Sequence, residues 1–522
     1  MFNNKILIPV FIFSLSTVVS NGQNEDNALN YSYQRPTGTA RSIGLGGAMG
    51  ALGGDYSAIS INPAGIAVYR SSEFSFTPSL IYNNTESDYY GTTSSDDKFS
   101  FPINHISYVG TSRLMRETSG LVSTHFGIGY SRTNNYNRKS FIEHDGVKSS
   151  LLHMFATNAY GLAPNQLDDF YTGIAYDAYL LDLVPGSSVN EYMHAYEFVN
   201  DEGFLELGPV DGINQKKMIS EKGYSGLFDL SFGANFGNKF YTGASLGIAT
   251  IHNKKESQHY EKAGSEVYDD YIAYRQNNGM EILDDFYFDE YEKTTGTGVN
   301  LKFGVIYKPI HSIRLGASFH TPTYYSMKME YDTGAKAYFF DADNYEIESD
   351  PGEFSFNFRT PIKAVGSVAY VFGTKGLVSF DYEYTDYSNM KYKSKSNDVL
   401  EKDFLEQIND VISNTFRATH NFRVGAEYMV TPMFALRGGY AYFQNQNPYK
   451  SEFLNSDGKH YNITGGMGFR AGNMTIDIAY LYNKETYIHS LYYSNEIQAD
   501  VQEPADMTSI DHQLAVTLGW RF

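Results

Sequence analysis

From residue 421 to 443 the chain alternates. Phe422, Val424, Ala426 and Tyr428 take one parity, and Arg423, Gly425 and Glu427 the other. After Thr431-Pro432 the pattern resumes, with Phe434, Leu436, Gly438, Tyr440 and Tyr442 against Ala435, Arg437, Gly439 and Ala441. A period of two sends successive side chains to opposite faces of a strand. The segment therefore predicts a β-hairpin with one apolar, aromatic face and one face of charges and small residues. The unit recurs. Val299, Leu301, Phe303, Val305 and Tyr307 oppose Asn300, Lys302 and Gly304. Val378, Phe380, Tyr382 and Tyr384 oppose Ser379, Asp381 and Glu383, and Ile476, Ile478, Tyr480 and Tyr482 oppose Asp477 and Ala479. The last run sets Leu514, Val516, Leu518, Trp520 and Phe522 against Thr517, Gly519 and Arg521.

Fourteen such runs are predicted after residue 70, at 71–83, 98–110, 120–133, 226–236, 239–252, 295–308, 312–331, 353–372, 376–392, 417–430, 433–445, 460–471, 473–487 and 509–522. The connections sort by side. Those at 111–119, 237–238, 309–311, 373–375, 431–432 and Gly472 are short. Those at 84–97, 134–225, 253–294, 332–352, 393–416, 446–459 and 488–508 are long. An even strand count, short turns on one side and long loops on the other predict an all-β, antiparallel transmembrane β-barrel. Backbone groups in lipid need internal partners, so the sheet must close. A water-soluble sandwich shares the alternation, but not the strand length, the one-sided loops and the aromatic C-terminus together.

Composition narrows the picture. The 522 residues hold 45 tyrosines, 36 phenylalanines, 47 glycines and no cysteine, with a formal charge of −20. The absence of cysteine excludes a disulfide framework and thiolate chemistry, and the negative charge argues against nucleic acid. Mean hydropathy is negative, and no internal run of 18 apolar residues exists to form a helical span. Lys5, the apolar stretch Ile6 to Val19 and the small residues before Gln23 predict a signal peptide over 1–22, cleaved near Gly22.

Between signal peptide and barrel lies a segment without strand alternation, residues 23–69. Gly44, Gly46, Gly47 and Gly50 punctuate its first half, and Asp55 is placed to cap a short helix that ends near Asn62-Pro63. Short helices of small residues suit a plug in the barrel lumen. A phosphate loop is not supported: the glycines lack the flanking strand and the Gly-Lys-Ser/Thr ending. In loop 134–225, Phe155, Tyr160, Leu162, Phe170, Tyr171, Tyr176, Tyr179, Leu180 and Leu183 form an apolar set. Either they pack a small core of their own, or they guide a ligand to the barrel mouth. In loop 253–294, Glu281, Asp284, Asp285, Asp289, Glu290 and Glu292 offer oxygen ligands for calcium or a solvated surface. No HExxH pair appears among the histidines. No enzyme activity, cofactor or metal ligand set is expected, haem binding by His144 or His153 carrying little weight.

Ala40-Arg41-Ser42, the glycines Gly44, Gly46 and Gly47, and above all Asn62-Pro63-Ala64-Gly65-Ile66-Ala67 resemble the N-terminal hatch of FadL/TodX-type outer-membrane transport proteins. Further resemblance lies in Thr360-Pro361 with Val368-Ala369-Tyr370, in Phe380 to Ser388 and in Asn421 to Tyr428. The resemblance implies a fourteen-stranded barrel plugged by a hatch. It also implies passive uptake of hydrophobic compounds such as long-chain fatty acids, captured outside and released by hatch movement or through a kinked wall. Arg41, Gly44, Gly46, Gly47, Asn62, Pro63 and Ala64 become hatch or gating residues, with Arg41 expected to pair with Glu383 or Asp381. Phe155, Tyr160, Phe170, Tyr171, Tyr176, Tyr179 and Leu180 become ligand-path candidates. Outer-membrane lipid and the assembly machinery are the further partners, and a monomer in the outer membrane of a Gram-negative bacterium is expected. The alternatives are a barrel that binds a protein partner in secretion or surface assembly, and a haem receptor.

Overall fold

A computed structural model describes residues 25–35, 37–118, 120–340, 342–447, 458–492 and 503–522. The expected signal peptide lies outside these residues. Fourteen wall strands pair antiparallel with their neighbours and close into a barrel. They are β1 (Glu73–Tyr89), β2 (Thr92–Ser100 and Ile103–Thr118), β3 (Leu121–Asn135 and Arg138–Val147), β4 (Ile213–Phe236), β5 (Phe240–Ala263), β6 (Leu283–Ile310) and β7 (Ile313–His320 and Tyr324–Phe339). Then follow β8 (Gly352–Arg359 and Lys363–Val371), β9 (Gly376–Asp386 and Lys391–Ser394), β10 (Ala418–Thr431), β11 (Phe434–Phe443), β12 (His460–Ala471), β13 (Met474–His489) and β14 (Ala505–Arg521). Closure runs from Glu73 opposite Arg521 to Asp88 opposite Asp506.

The lipid-facing band follows the alternation. Val299, Leu301, Phe303, Leu514, Leu518 and Trp520 point out and are exposed, while Asn300, Lys302 and Thr517 between them are buried inside. Such apolar exposure is stable only against hydrocarbon.

Two features differ from the sequence expectation. The stretches 134–225 and 253–294 are not wholly loops, because β3 to β6 continue upward as paired strands: β4 and β5 stay in register from Phe236–Phe240 to Ile213–Ala263. Residues 111–118 likewise are strand, and β3 begins at Leu121. Secondly, β2, β7, β8 and β9 are each broken. Pro102, Pro322 and Pro361 lack the amide a ladder needs, and Tyr387–Asn389 form one 3₁₀ turn.

The breaks in β7, β8 and β9 reverse the strand faces. Below them, Leu315 and Phe319 of β7 point out while Ser318 and His320 point in. Above, Tyr325, Met327 and Met329 point in, and Ser326, Lys328 and Glu330 point out. In β8, Val368 and Tyr370 are outside below, whereas Phe354, Phe356 and Phe358 are inside above. Tyr392 turns in likewise above the β9 break. A shift of one residue sends every following side chain to the other face.

Residues 25–69 fill the lumen as α1 (Glu25–Ser32), α2 (Ala40–Gly44) and two 3₁₀ turns, Tyr56–Ser60 and Pro63–Val68. Their backbone lies directly on the wall. A Cβ on Gly439 would overlap the backbone of Leu45 and Gly46, and one on Gly304 would overlap Asn62 and Pro63. Gly439→Val is therefore expected to cost about 1–3 kcal/mol through overpacking, felt in the hatch rather than in the wall. Planar-bilayer recordings should then show open-channel conductance in a variant that still migrates as a folded barrel.

Candidate functional site

The hatch is capped by its own side chains. Thr39 accepts from Ser42 N at the start of α2 and donates to Asp55 at 2.8 Å. Asp55 in turn accepts from Ser57 N, capping the first 3₁₀ turn. Asn62 caps the second, its Oδ1 accepting from Ala64 N at 3.1 Å. Pro63 takes the first helical position, where no amide is needed. The Asn62 amide also donates to Gly50 O at 2.7 Å and to Val305 O of β6 at 3.0 Å. One buried side chain thus ties both halves of the hatch to the wall.

Other ties ring the lumen. Ala40 N donates to Thr517 of β14 at 2.7 Å, Gly50 N to Asp381 of β9 at 2.9 Å and Tyr56 to Asp229 O of β4 at 2.9 Å. His320 and Ser318 of β7 both donate to Ile61 O. Arg41 does not pair with Glu383 or Asp381. Its guanidinium grips Glu427 of β10 at 3.1 and 3.3 Å, and Glu427 also accepts from Arg437, which reaches Asp477 at 2.6 Å. Glu383 is already engaged by Arg423, Lys363 and Asn421, and Asp381 is held by the Gly50 amide. Gly44 offers its carbonyl to Thr464, and Gly46 and Gly47 take positive φ in the turn after α2. Buried ion pairs of this kind fix geometry more than they stabilise.

Above the hatch the interior divides in two. One side is apolar: Leu227, Ile251, Met327, Met329, Phe354, Phe356, Phe358 and Tyr392 line it. Ala28 and Tyr31 of α1 enter it from the lumen, and Leu405, Ile408 and Ile412 of the helix Val399–Thr415 cover it. The other side is polar, a small cavity lined by Arg35, Asn104, Arg132, Asn134, Asn462, Asn483 and Asp511. Both side-chain ends of Asn104, Arg35 Nε, Arg132 Nε and Asn462 Oδ1 have no protein partner there. Arg35 pairs with Asp511 and Glu485. The cavity lies behind a seam in the wall. The β2–β3 ladder stops at His105 opposite Ser131. Above it, Thr92–Ser100 pairs only with β1 and Arg138–Val147 only with β4. Side chains bridge the gap, as Thr92 with His144 at 2.8 Å and Ser87 with Phe141 O at 2.6 Å.

The ligand-path candidates gather elsewhere, in a cap over the barrel mouth. Phe155 of α3 (Leu151–Ala159) and Leu180 are fully buried in the cap core with Tyr196, Phe286 and Phe288. Tyr171 stacks on Phe288, Tyr176 meets Tyr192, Tyr179 meets Tyr345 and Phe170 meets Tyr331. Tyr160 stays exposed. None of the seven lines the apolar chamber. The chamber residues went unnamed in the sequence, although Phe354, Phe356 and Phe358 alternate there with Glu353, Ser355 and Asn357. The acidic stretch 281–292 lies mostly in β6, where its carboxylates do not converge: Asp284 meets Lys262, Asp289 meets Gln258 and Glu290 meets Lys217.

Residues 242–521 match the profile of the family described as "Outer membrane protein transport protein (OMPP1/FadL/TodX)". No curated protein matches the chain. Among solved structures, a Pseudomonas aeruginosa FadL homologue superposes with a TM-score of 0.53 at 14% identity, over 94% of this chain and 100% of that one. The P. putida toluene transporter TodX gives 0.51 at 12% identity, over 94% and 99%. The Ralstonia pickettii toluene transporter TbuX gives 0.50 at 14%, over 95% and 100%. At these identities the likeness is one of fold.

Asn62→Ala removes three hydrogen bonds and deprives the buried Gly50 O of its Asn62 donor, while Val305 O keeps its place in the wall ladder. With about 1 kcal/mol for each bond, the hatch should lose roughly 2–4 kcal/mol of docking stability while the wall, which does not depend on it, keeps its own. Limited proteolysis of the detergent-solubilised protein should cut the variant within residues 35–70 at least tenfold faster than wild type.

Proposed function

The chain belongs to the OMPP1/FadL/TodX family of outer membrane transport proteins, and we propose that it carries long-chain, acid-headed apolar compounds of the fatty acid kind inward by passive diffusion. It is a multi-pass barrel of the outer membrane and not an enzyme. The observation that carries the proposal is the reversal of faces in β7, β8 and β9. Above the breaks these strands are polar outside and apolar inside. They make a greasy cup that stands in water, where an apolar chain gains about 0.8 kcal/mol per buried methylene.

The polar cavity beside the cup supports the acid head. Tyr33 and Tyr136 pack in the apolar cluster and also line the neighbouring polar space with Arg35 and Arg138. Unpartnered donors on Arg35, Arg132 and Asn104 suit a carboxylate, which a plain aromatic hydrocarbon does not carry. Ala28 and Tyr31 occupy the cup, so an entering chain displaces α1 and frees Arg35, the next tether. The seam between β2 and β3 then offers a lateral way out. Sites in series, each of moderate strength, let the ligand leave again.

Barrel-bearing vesicles should take up labelled palmitate several-fold faster than empty ones, and faster than they take up labelled toluene relative to the same control. Phe356→Asp, which puts a charge in the cup, should lower palmitate uptake about tenfold. Palmitate uptake equal to that of empty vesicles would overturn the proposal, and uptake of toluene alone would reassign the ligand.

A further inference from the structure

The cap holds a cluster that the transport route does not use. His153 stands on α3, His194 ends the short strand Tyr192–His194, and Glu197 begins the next, Glu197–Val199. Three separate pieces of the 134–225 excursion thus meet at one point. His194 Nε2 lies 3.1 Å from Glu197 Oε1, and His153 Nδ1 lies 3.7 Å from the same oxygen. One ligand atom from each residue lies within 4.8 Å of the other two. His194 is buried, Glu197 nearly so, and His153 is half-exposed, which leaves one side open to solvent.

We propose that His153, His194 and Glu197 bind a divalent transition metal, zinc first, and that the metal clamps α3 to the two small hairpins of the cap. The donor set decides the class. Two imidazoles and a carboxylate suit zinc, whereas calcium and magnesium prefer oxygen alone. Bonds of about 2.0–2.1 Å at tetrahedral angles put ligand atoms roughly 3.3 Å apart. The two distances to Glu197 bracket that value. The closing movement falls to His153, the one solvent-facing member. The fourth position is left to water.

The bland alternative is a hydrogen-bonded ion pair that only shapes the turn. Glu197 accepts from His194 N at 3.1 Å, and Tyr196 N approaches His194 Nδ1 at 3.3 Å. In the metal-free cap the Tyr196 contact leaves the proton on His194 Nε2, directed at Glu197. A metal on Nε2 displaces that proton and requires the other ring nitrogen to carry one, so the long Tyr196 contact is given up. A pure ion pair does not need His153, whose ring reaches Glu197 from a different element. The metal does, and that separates the two readings.

The test uses the full mature chain without an affinity tag, in detergent, stripped with a chelator and titrated with zinc chloride against a chromophoric zinc indicator. Wild type is expected to take one zinc per chain and to hold it at least tenfold more weakly at pH 5.5 than at pH 7.5, because the imidazoles must be neutral. His153→Ala, at a half-exposed position, should weaken zinc at least tenfold with the heat-modifiable migration of the barrel unchanged. Glu197→Gln should do the same. Zinc should also slow proteolysis within 150–210 in wild type and not in His153→Ala, and calcium should do neither. Absence of stoichiometric zinc in wild type, or equal zinc affinity in wild type and His153→Ala, would overturn the site.

Discussion

A strand wall has two faces, and each must match the medium it meets at that height. Below the breaks, hydrocarbon lies outside and a hatch with hydrogen-bonding backbone inside, so the wall shows Phe303, Leu315 and Phe319 outward and Asn300, Lys302 and His320 inward. Above them, water lies outside and the chain's own apolar groups inside, so Lys328 and Glu353 face out while Met327 and Phe356 face in. Alternation alone cannot satisfy both halves of one strand. A break that shifts parity can, and Pro322, Pro361 and the turn at Tyr387–Asn389 supply it in three neighbouring strands. The apolar chamber exists because of that shift.

The hatch answers the complementary problem. A lumen lined with Asp229, Lys302, Asp381, Glu427 and Arg437 must have its charges paired or wetted. Lys302 meets Asp229 at 3.1 Å across the wall, and the hatch supplies Arg41 and a series of backbone amides for others. Small wall residues let hatch backbone approach wall backbone, as at Gly439 and Gly243. The seal combines hydrogen bonds, each modest, with small apolar contacts such as Leu45, Leu52 and Ile61 against Val365 and Ala369. Such a seal can loosen without unfolding the barrel, which is what a gated passage requires.

The sequence made the lower half legible. Parity over 295–308 and 509–522 assigned lipid and lumen faces correctly, and short turns against long connections gave the strand count. Asp55 is readable because capping is local chemistry, whereas Asn62, expected where a helix ends, caps the turn that follows. What lay beyond reach depended on relative height. Arg41 was assigned to Glu383 or Asp381, but which carboxylate it meets follows from how far the hatch descends, a tertiary fact. Strands were ended where the apolar parity ended, at 252 or 295, because above the membrane β5 and β6 are polar on faces that the barrel pattern reserves for lipid. The chamber was overlooked for the same reason. Phe354, Phe356 and Phe358 carried the signal, as an alternation of inverted sense beside a proline.

The reversal of faces is open to direct reading, because the chain has no cysteine and single cysteines can be spin-labelled without background. Accessibility to oxygen, which favours lipid, and to a nickel chelate, which favours water, should be measured in bilayers at Leu315, Phe319, Met327, Lys328, Glu353 and Phe356. The account predicts oxygen access at Leu315 and Phe319, nickel access at Lys328 and Glu353, and shielding from both at Phe356. Lipid-type access at Met327 and Phe356, continuing the parity of the lower half through the breaks, would contradict it.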